Sequence, residues 1–181
     1  MKKIDLYLQD KRLQKTEPYI TKGKTVLDIG SNNGDLFSYY NKKGIQIQGV
    51  GIDPNCIEEK QTETFLLVRD FFPSPKVTGK FDVITILAVI EHIPESQMNT
   101  FIQACKESLR EDGVIIITVP HPFVDVILHI LGWLKLIDGM ETDQHYGLQI
   151  STMKKLFQQN GLELLRHRYF QFGLNNLFVF K

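Results

Sequence analysis

Carboxylates flank a glycine turn in Asp28-Ile29-Gly30-Ser31-Asn32-Asn33-Gly34-Asp35, and another carboxylate, Asp53, ends the next apolar run. Gly30 and Gly34 follow the short strand-forming run Thr25 to Ile29. Parallel sheets bind ligands beyond the carboxyl ends of their strands, where glycine lets the backbone come close to the ligand. At the end of the following run, Ile45 to Ile52, Asp53 stands where a carboxylate can accept both hydroxyls of an adenosine ribose. These residue types in this order imply an adenosine-containing cofactor.

The charge of the turn narrows the cofactor. A dinucleotide fingerprint starting at Gly30 needs glycine at positions 32 and 35, where the chain has Asn32 and Asp35. A pyrophosphate also wants an unoccupied helix N-terminus, and carboxylates at Asp28 and Asp35 repel it. S-adenosylmethionine (SAM), which carries a sulfonium and an ammonium, gains from the same carboxylates. The chain contains no GxxxxGK[ST], so a P-loop is excluded.

The elements that must position this turn alternate along the chain, which predicts an α/β sheet. A helix is expected over Ile4 to Ile20, a buried strand over Thr25 to Ile29, and a helix over Leu36 to Lys43 closed by Gly44, a residue suited to a left-handed cap. Strands follow at Ile45 to Ile52, Thr64 to Val68 and Phe81 to Leu87. A helix from Pro94 to about Arg110 leads to a strand at Gly113 to Val119. Ser151 is expected to cap a helix reaching about Asn160. Leu162 to Phe170 and Leu174 to Phe180, joined near Gly173, read as an antiparallel hairpin.

Length and composition bound the rest. With 181 residues, the chain is expected to form one domain, residues 1–181, with a lid or substrate insert at 121–149. Lys and Arg number 21, as do Asp and Glu, and the basic residues are dispersed, which argues against a nucleic-acid partner. Cys56 and Cys105 show no metal-ligand or disulfide spacing, so no metal is expected. The N-terminus lacks the apolar core of a secretory signal, and a cytoplasmic location is expected. The apolar stretch Phe123 to Ile137 carries Asp125, His129 and Lys135 and is too short to span a bilayer.

Val26-Leu27-Asp28-Ile29-Gly30-Ser31-Asn32-Asn33-Gly34 resembles the first motif of the class I SAM-dependent methyltransferases, with Asn32 in place of the middle glycine of GxGxG. Gly51-Ile52-Asp53-Pro54 is similar to the second motif and Arg69-Asp70-Phe71 to the third. Phe81-Asp82-Val83-Ile84 through Glu91-His92-Ile93-Pro94 is similar to the fourth, as found in the subgroup that methylates small molecules. The resemblance covers most of the chain. It implies a Rossmann-like three-layer sandwich with a seven-stranded, mostly parallel sheet in the order 3-2-1-4-5-7-6, strand 7 antiparallel. It also implies a cofactor site made by Asp28, Gly30, Ser31, Asn32, Gly34, Asp53, Pro54, Asp70, Phe71, Leu87 and Ala88. Asp70 would meet the adenine amino group, and Arg12 would approach the methionine carboxylate.

For the acceptor, the [DN]PP[YF] motif associated with amide and amino nitrogens is absent, and Ala88-Val89-Ile90-Glu91 stands in its place. A small-molecule acceptor is expected, with oxygen as the first choice. Methyl transfer needs alignment and desolvation more than a covalent nucleophile, and a hydroxyl acceptor gains from a base. Histidine suits that task near neutral pH, which makes His92, His121 and His145 the candidates. Glu91 is a further one, although an acidic residue there is equally explained by a helix start. His121, Trp133, His145 and Tyr146 are the candidate substrate contacts. The apolar insert reads as ordinary packing, a lid for a lipid-like acceptor, or a bilayer-docking surface, and monomer and homodimer both stay open. Two competing readings are a non-catalytic SAM-binding or partner-binding protein of the same fold and an RNA methyltransferase using Arg166, His167 and Arg168.

Overall fold

The computed structural model describes residues 3–120 and 150–181. Their core is an eight-stranded sheet. In chain order the strands are β1 Thr25–Ile29, β2 Gln48–Ile52, β3 Lys60–Gln61, β4 Phe65–Val68, β5 Phe81–Leu87, β6 Leu109–Pro120, β7 Leu164–Phe170 and β8 Asn175–Phe180. The helices are α1 Lys3–Gln14, α2 Asp35–Lys42, α3 Glu95–Ser108 and α4 Ile150–Gln159, with a 3-10 turn at Ile90–His92.

The strands lie in the order β3-β4-β2-β1-β5-β6-β8-β7. From β4 to β6 every neighbouring pair is parallel, whereas β8 runs antiparallel to both β6 and β7. Without β3, this is the expected order. The expected seven strands become eight because Lys60–Gln61 folds back antiparallel onto β4. Thr62 forms that corner: its hydroxyl accepts the N–H groups of Thr64 and Phe65 and donates to the Phe65 carbonyl. Two exposed residues carry no periodic signal.

Alternation along each strand sends side chains to opposite faces of the sheet and builds one apolar core on each side. Leu27, Ile84, Ile86, Ile115, Ile117 and Phe178 pack with Met98, Phe101 and Ile102 of α3 and Phe157 of α4. Val26, Val83, Ile116, Leu177 and Val179 pack instead with Leu13 of α1 and with Leu36, Phe37 and Tyr40 of α2. By the same alternation Asp28 of β1 and Thr85 of β5 fall on the α1 and α2 side, at the carboxyl end of the sheet.

Several boundaries differ from expectation. Helix α1 stops at Gln14, and the chain turns through residues 15–19, where the buried Thr16 hydroxyl lies 2.7 Å from the Tyr40 hydroxyl. Strand β6 begins at Leu109, pairing with Phe81 ahead of a bulge. Ser151 lies inside α4 instead of capping it. Gly44 has the expected left-handed backbone, with φ of 70°. The expected insert at 121–149 falls outside the described residues. Among the described residues no helix is long and apolar enough to cross a membrane.

Candidate functional site

Strand β1 delivers the turn. Its start is pinned by Asp82, whose carboxylate accepts the N–H and the hydroxyl of Thr25, each at 2.8 Å, fixing β1 against β5. At its end the chain turns at Gly30, where φ is +79° and a Cβ would meet Val89 Cγ2 at 2.1 Å. The turn therefore lies hard against the segment leaving β5, an approach no side chain permits. Gly34, at φ +83°, starts α2, and Asp35 occupies the helix's first turn. That carboxylate sits where a phosphate would otherwise bind, as the sequence implied.

Asn32 replaces the middle glycine without disturbing the turn. Its φ is +49°, in the left-handed region that asparagine tolerates best among non-glycine residues. Its side-chain amide donates to Asp35 Oδ2 at 2.9 Å, and its backbone N–H donates to Asp53 Oδ2 at 2.8 Å. Asn32 thus ties together the two carboxylates on either side of the loop.

Asp53 follows β2 and is half-buried. Oδ1 accepts the Asn55 N–H at 2.7 Å, while Oδ2 accepts that of Asn32. Each carboxylate oxygen accepts two hydrogen bonds, so one acceptor position remains on each, which suits a pair of ribose hydroxyls. Pro54 follows directly and is half-buried.

A cavity of about 90 Å³ opens beside the turn, lined by Gln9, Arg12 and Leu13 of α1, by Asp28, Gly30, Ser31, Asp35 and Leu36, and by Leu87. It joins opposite charges. The Arg12 guanidinium is lowered by burial, which the charge of Glu91 opposes. The Asp28 carboxyl is buried and pushed up to about 7: burial raises it most, the Thr85 hydrogen bond lowers it, and Asp35 and Asp53 raise it further. Arg12 Nε and Ser31 Oγ are buried with no hydrogen-bond partner among the described residues. An orphaned cationic donor facing a carboxylate across a small cavity suits an amino-acid zwitterion, as on the methionine end of SAM. The residues present fit that group.

Two further strand ends border this edge. After β4, Asp70 accepts the Phe71 N–H at 2.9 Å on Oδ1 and the Ser74 hydroxyl at 2.7 Å on Oδ2, and these bonds hold its carboxyl below the usual range. The Phe71 ring is 74% exposed. Leu87 ends β5, and Ala88 turns the chain with φ of +57° while its N–H donates to the Thr118 carbonyl at 2.9 Å. In the 3-10 turn that follows, Glu91 is buried and His92 exposed.

The structure therefore gathers Arg12, Asp28, Gly30, Ser31 and Leu87 around one cavity, with Asn32, Gly34, Asp53 and Pro54 in or beside the adjoining loops. Asp70 and Phe71 lie at the next strand end. His121, Trp133, His145 and Tyr146 fall outside the described residues. Away from this edge, His167 of β7 stacks on Phe178 and meets Asn176 Oδ1 at 3.0 Å, a structural setting. Sequence reasoning missed Thr85, Gln9 and Val89. Thr85 had a signal, being a polar side chain in an otherwise apolar strand. Among the described residues no group of His, Cys, Asp and Glu could hold a metal ion.

Comparison with known proteins gives a consistent picture. A family model described as a methyltransferase domain matches residues 2–167. The ubiquinone biosynthesis O-methyltransferase of Glaesserella parasuis is 33% identical over 108 residues, covering 53% of this chain and 45% of that protein. The chain thus spans about half the length of that relative. Among solved structures, a SAM dependent methyltransferase from Archaeoglobus fulgidus matches with a TM-score of 0.69 at 19% identity, over 91% of this chain and 72% of that one. The magnesium protoporphyrin IX methyltransferase of Synechocystis PCC 6803 with bound SAH matches with a TM-score of 0.64 at 16% identity, over 97% and 81%. At these identities the structural likeness is one of fold.

Proposed function

We propose, because the chain belongs to the methyltransferase domain family, that it moves a methyl group from SAM to the oxygen of a small-molecule acceptor. The observation that carries this reading is the cavity that sets the orphaned Arg12 Nε and Ser31 Oγ beside the buried Asp28 carboxyl. Arg12 would hold the methionine carboxylate and Asp28 the ammonium, while Asp53 would accept the ribose hydroxyls. Asp70 would take the adenine amino group, and Leu87 and Ala88 would line the methionine end. When bound, SAM supplies an electrophilic methyl group on a sulfonium.

The chain's own part is alignment, exclusion of water and handling of one proton. Gly30 against Val89 fixes the loop, and Leu87 and Leu36 make the cavity wall apolar. An acceptor hydroxyl gives up its proton as the new bond forms, and the candidates to receive it are His92, His121 and His145. An oxygen acceptor is supported by the O-methyltransferase relative and by Ala88-Val89-Ile90-Glu91 in place of [DN]PP[YF].

The test is transfer of labelled methyl from SAM into a metabolite extract, followed by identification of the labelled product. Label in a small phenol or alcohol ether supports the proposal. Label in RNA or protein overturns the acceptor class. SAM binding with no transfer to any acceptor leaves a non-catalytic SAM-binding protein as the reading.

A further inference from the structure

The structure assigns a positioning role to Gln171, a residue at the far edge of the sheet: its side chain sets α1 over the cofactor cavity. The inference rests on reading that cavity as the SAM site. Gln171 Nε2 donates to the Leu8 carbonyl of α1 at 3.2 Å, and Gln171 Oε1 accepts Asn175 Nδ2 of β8 at 2.5 Å. One amide therefore bridges the N-terminal helix to the closing hairpin, 163 residues apart in sequence.

The docking of α1 makes this bridge matter. From Leu6 to Gln14, only Leu13 is buried, and Leu6 and Tyr7 are exposed. Over these residues the helix draws little from apolar packing, so their position depends on polar ties. Two such ties hold adjacent residues of the helix: Gln9 Nε2 donates to Asp35 Oδ2 at 2.6 Å, and Gln171 holds Leu8. Arg12 follows one turn later and lines the cavity.

The turn bearing Gln171 has an unfavourable backbone. Gln171, Phe172 and Gly173 have φ of 51°, 57° and 86°, three successive left-handed residues of which only the last is glycine. L residues resist this conformation, and it persists where the surroundings over-determine it. Phe172 is fully exposed, so burial of its ring does not explain the turn. The β7–β8 hairpin itself closes the turn, with the Gly173 N–H on the Phe170 carbonyl at 3.2 Å and the Leu174 N–H on the Gln171 carbonyl at 3.1 Å, and the Gln171 amide, bonded on both sides, ties that turn to α1. The bridge is accordingly the device by which the β7–β8 hairpin holds Arg12 in reach of a methionine carboxylate.

Two variants separate the amide from the backbone strain. Gln171→Gly removes both hydrogen bonds and relieves the strain, whereas Phe172→Gly relieves strain alone. Each is compared with the parent by calorimetric titration with SAH and by hydrogen exchange of the amides over residues 8–14 in cofactor-free protein. Q171G is expected to bind about 3- to 10-fold more weakly, the loss of roughly one net hydrogen bond, and to exchange faster in α1. F172G is expected to match the parent in both. Parent-like binding and exchange in Q171G overturn the assignment, as does equal weakening in F172G. A parent protein that binds no SAH refutes the cofactor reading instead, and the exchange measurement still decides whether Gln171 holds α1.

Discussion

The Thr85 hydroxyl donates a 2.6 Å hydrogen bond to Asp28 Oδ1 across the β1–β5 pair, and this carboxyl is buried beside the charges of Asp35 and Asp53. Burial and those two charges outweigh the bond and push Asp28 up to about 7. The folded protein thus keeps the Asp28 proton to higher pH than the unfolded chain. The contribution to stability is fully present below the ordinary carboxylate value and is lost as pH rises through 7. Asp28→Asn, which stays neutral, is predicted to melt higher than the parent at pH 8, by a margin that narrows steadily as pH falls from 7 toward the ordinary carboxylate value. A cationic ligand favours the ionised form, so SAM affinity should rise by up to about tenfold per unit between pH 5 and 7 and level off above. The Asn variant should lose that slope. Thermal scans and calorimetry across pH check both halves, and a flat pH profile in the parent would show that Asp28 does not face a cation.

Asn32 is predicted to be replaceable by glycine and not by a β-branched residue. Asn32→Gly keeps the left-handed turn and the backbone bond to Asp53, giving up the side-chain bond to Asp35 and the exposed one from Asn33. Its affinity for SAM should stay within about threefold of the parent, the scale of the net contribution of a partly exposed hydrogen bond. Asn32→Val faces about 1–2 kcal/mol of backbone strain and should bind measurably more weakly. Titration of the two variants decides the point, and equal affinities would show that φ at position 32 does not matter.

Gly30→Ala is predicted to abolish SAM binding at concentrations that saturate the parent, because its Cβ would meet Val89 Cγ2 at 2.1 Å while φ stays positive. Adding Val89→Ala removes the clash and leaves the strain, so the double variant should recover part of the affinity. A single variant that binds like the parent would mean that the turn has room the structure does not show.

The sheet was legible because its strands are apolar and alternate. Phe81–Leu87 and Thr25–Ile29 have the expected bounds, and the hairpin Leu164–Phe170 with Asn175–Phe180 lies where it was expected. The expected helix to Ile20 ends instead at Gln14, since a buried Thr16 to Tyr40 hydroxyl contact is tertiary and leaves no local pattern. In the site, glycines and carboxylates announced themselves by type and position. The partners that define their environment did not: Thr85 reaches Asp28 across the sheet, Gln9 reaches Asp35 from another helix, and Gln171 reaches Leu8 from the far end of the chain. Side-chain pairing across elements depends on register, which spacing along one strand does not encode.

Asp53 bears most directly on the central claim that the carboxyl edge of β1 and β2 holds SAM. Its two oxygens each keep one acceptor position beyond the Asn32 and Asn55 N–H groups. Calorimetric titration of the parent and of Asp53→Ala with SAM is the measurement. A bound parent and a variant weakened by about 1.5–3 kcal/mol, the range of a charge-assisted hydrogen bond, is the predicted result. A parent that binds neither SAM nor its demethylated product, or a variant with unchanged affinity, would contradict it.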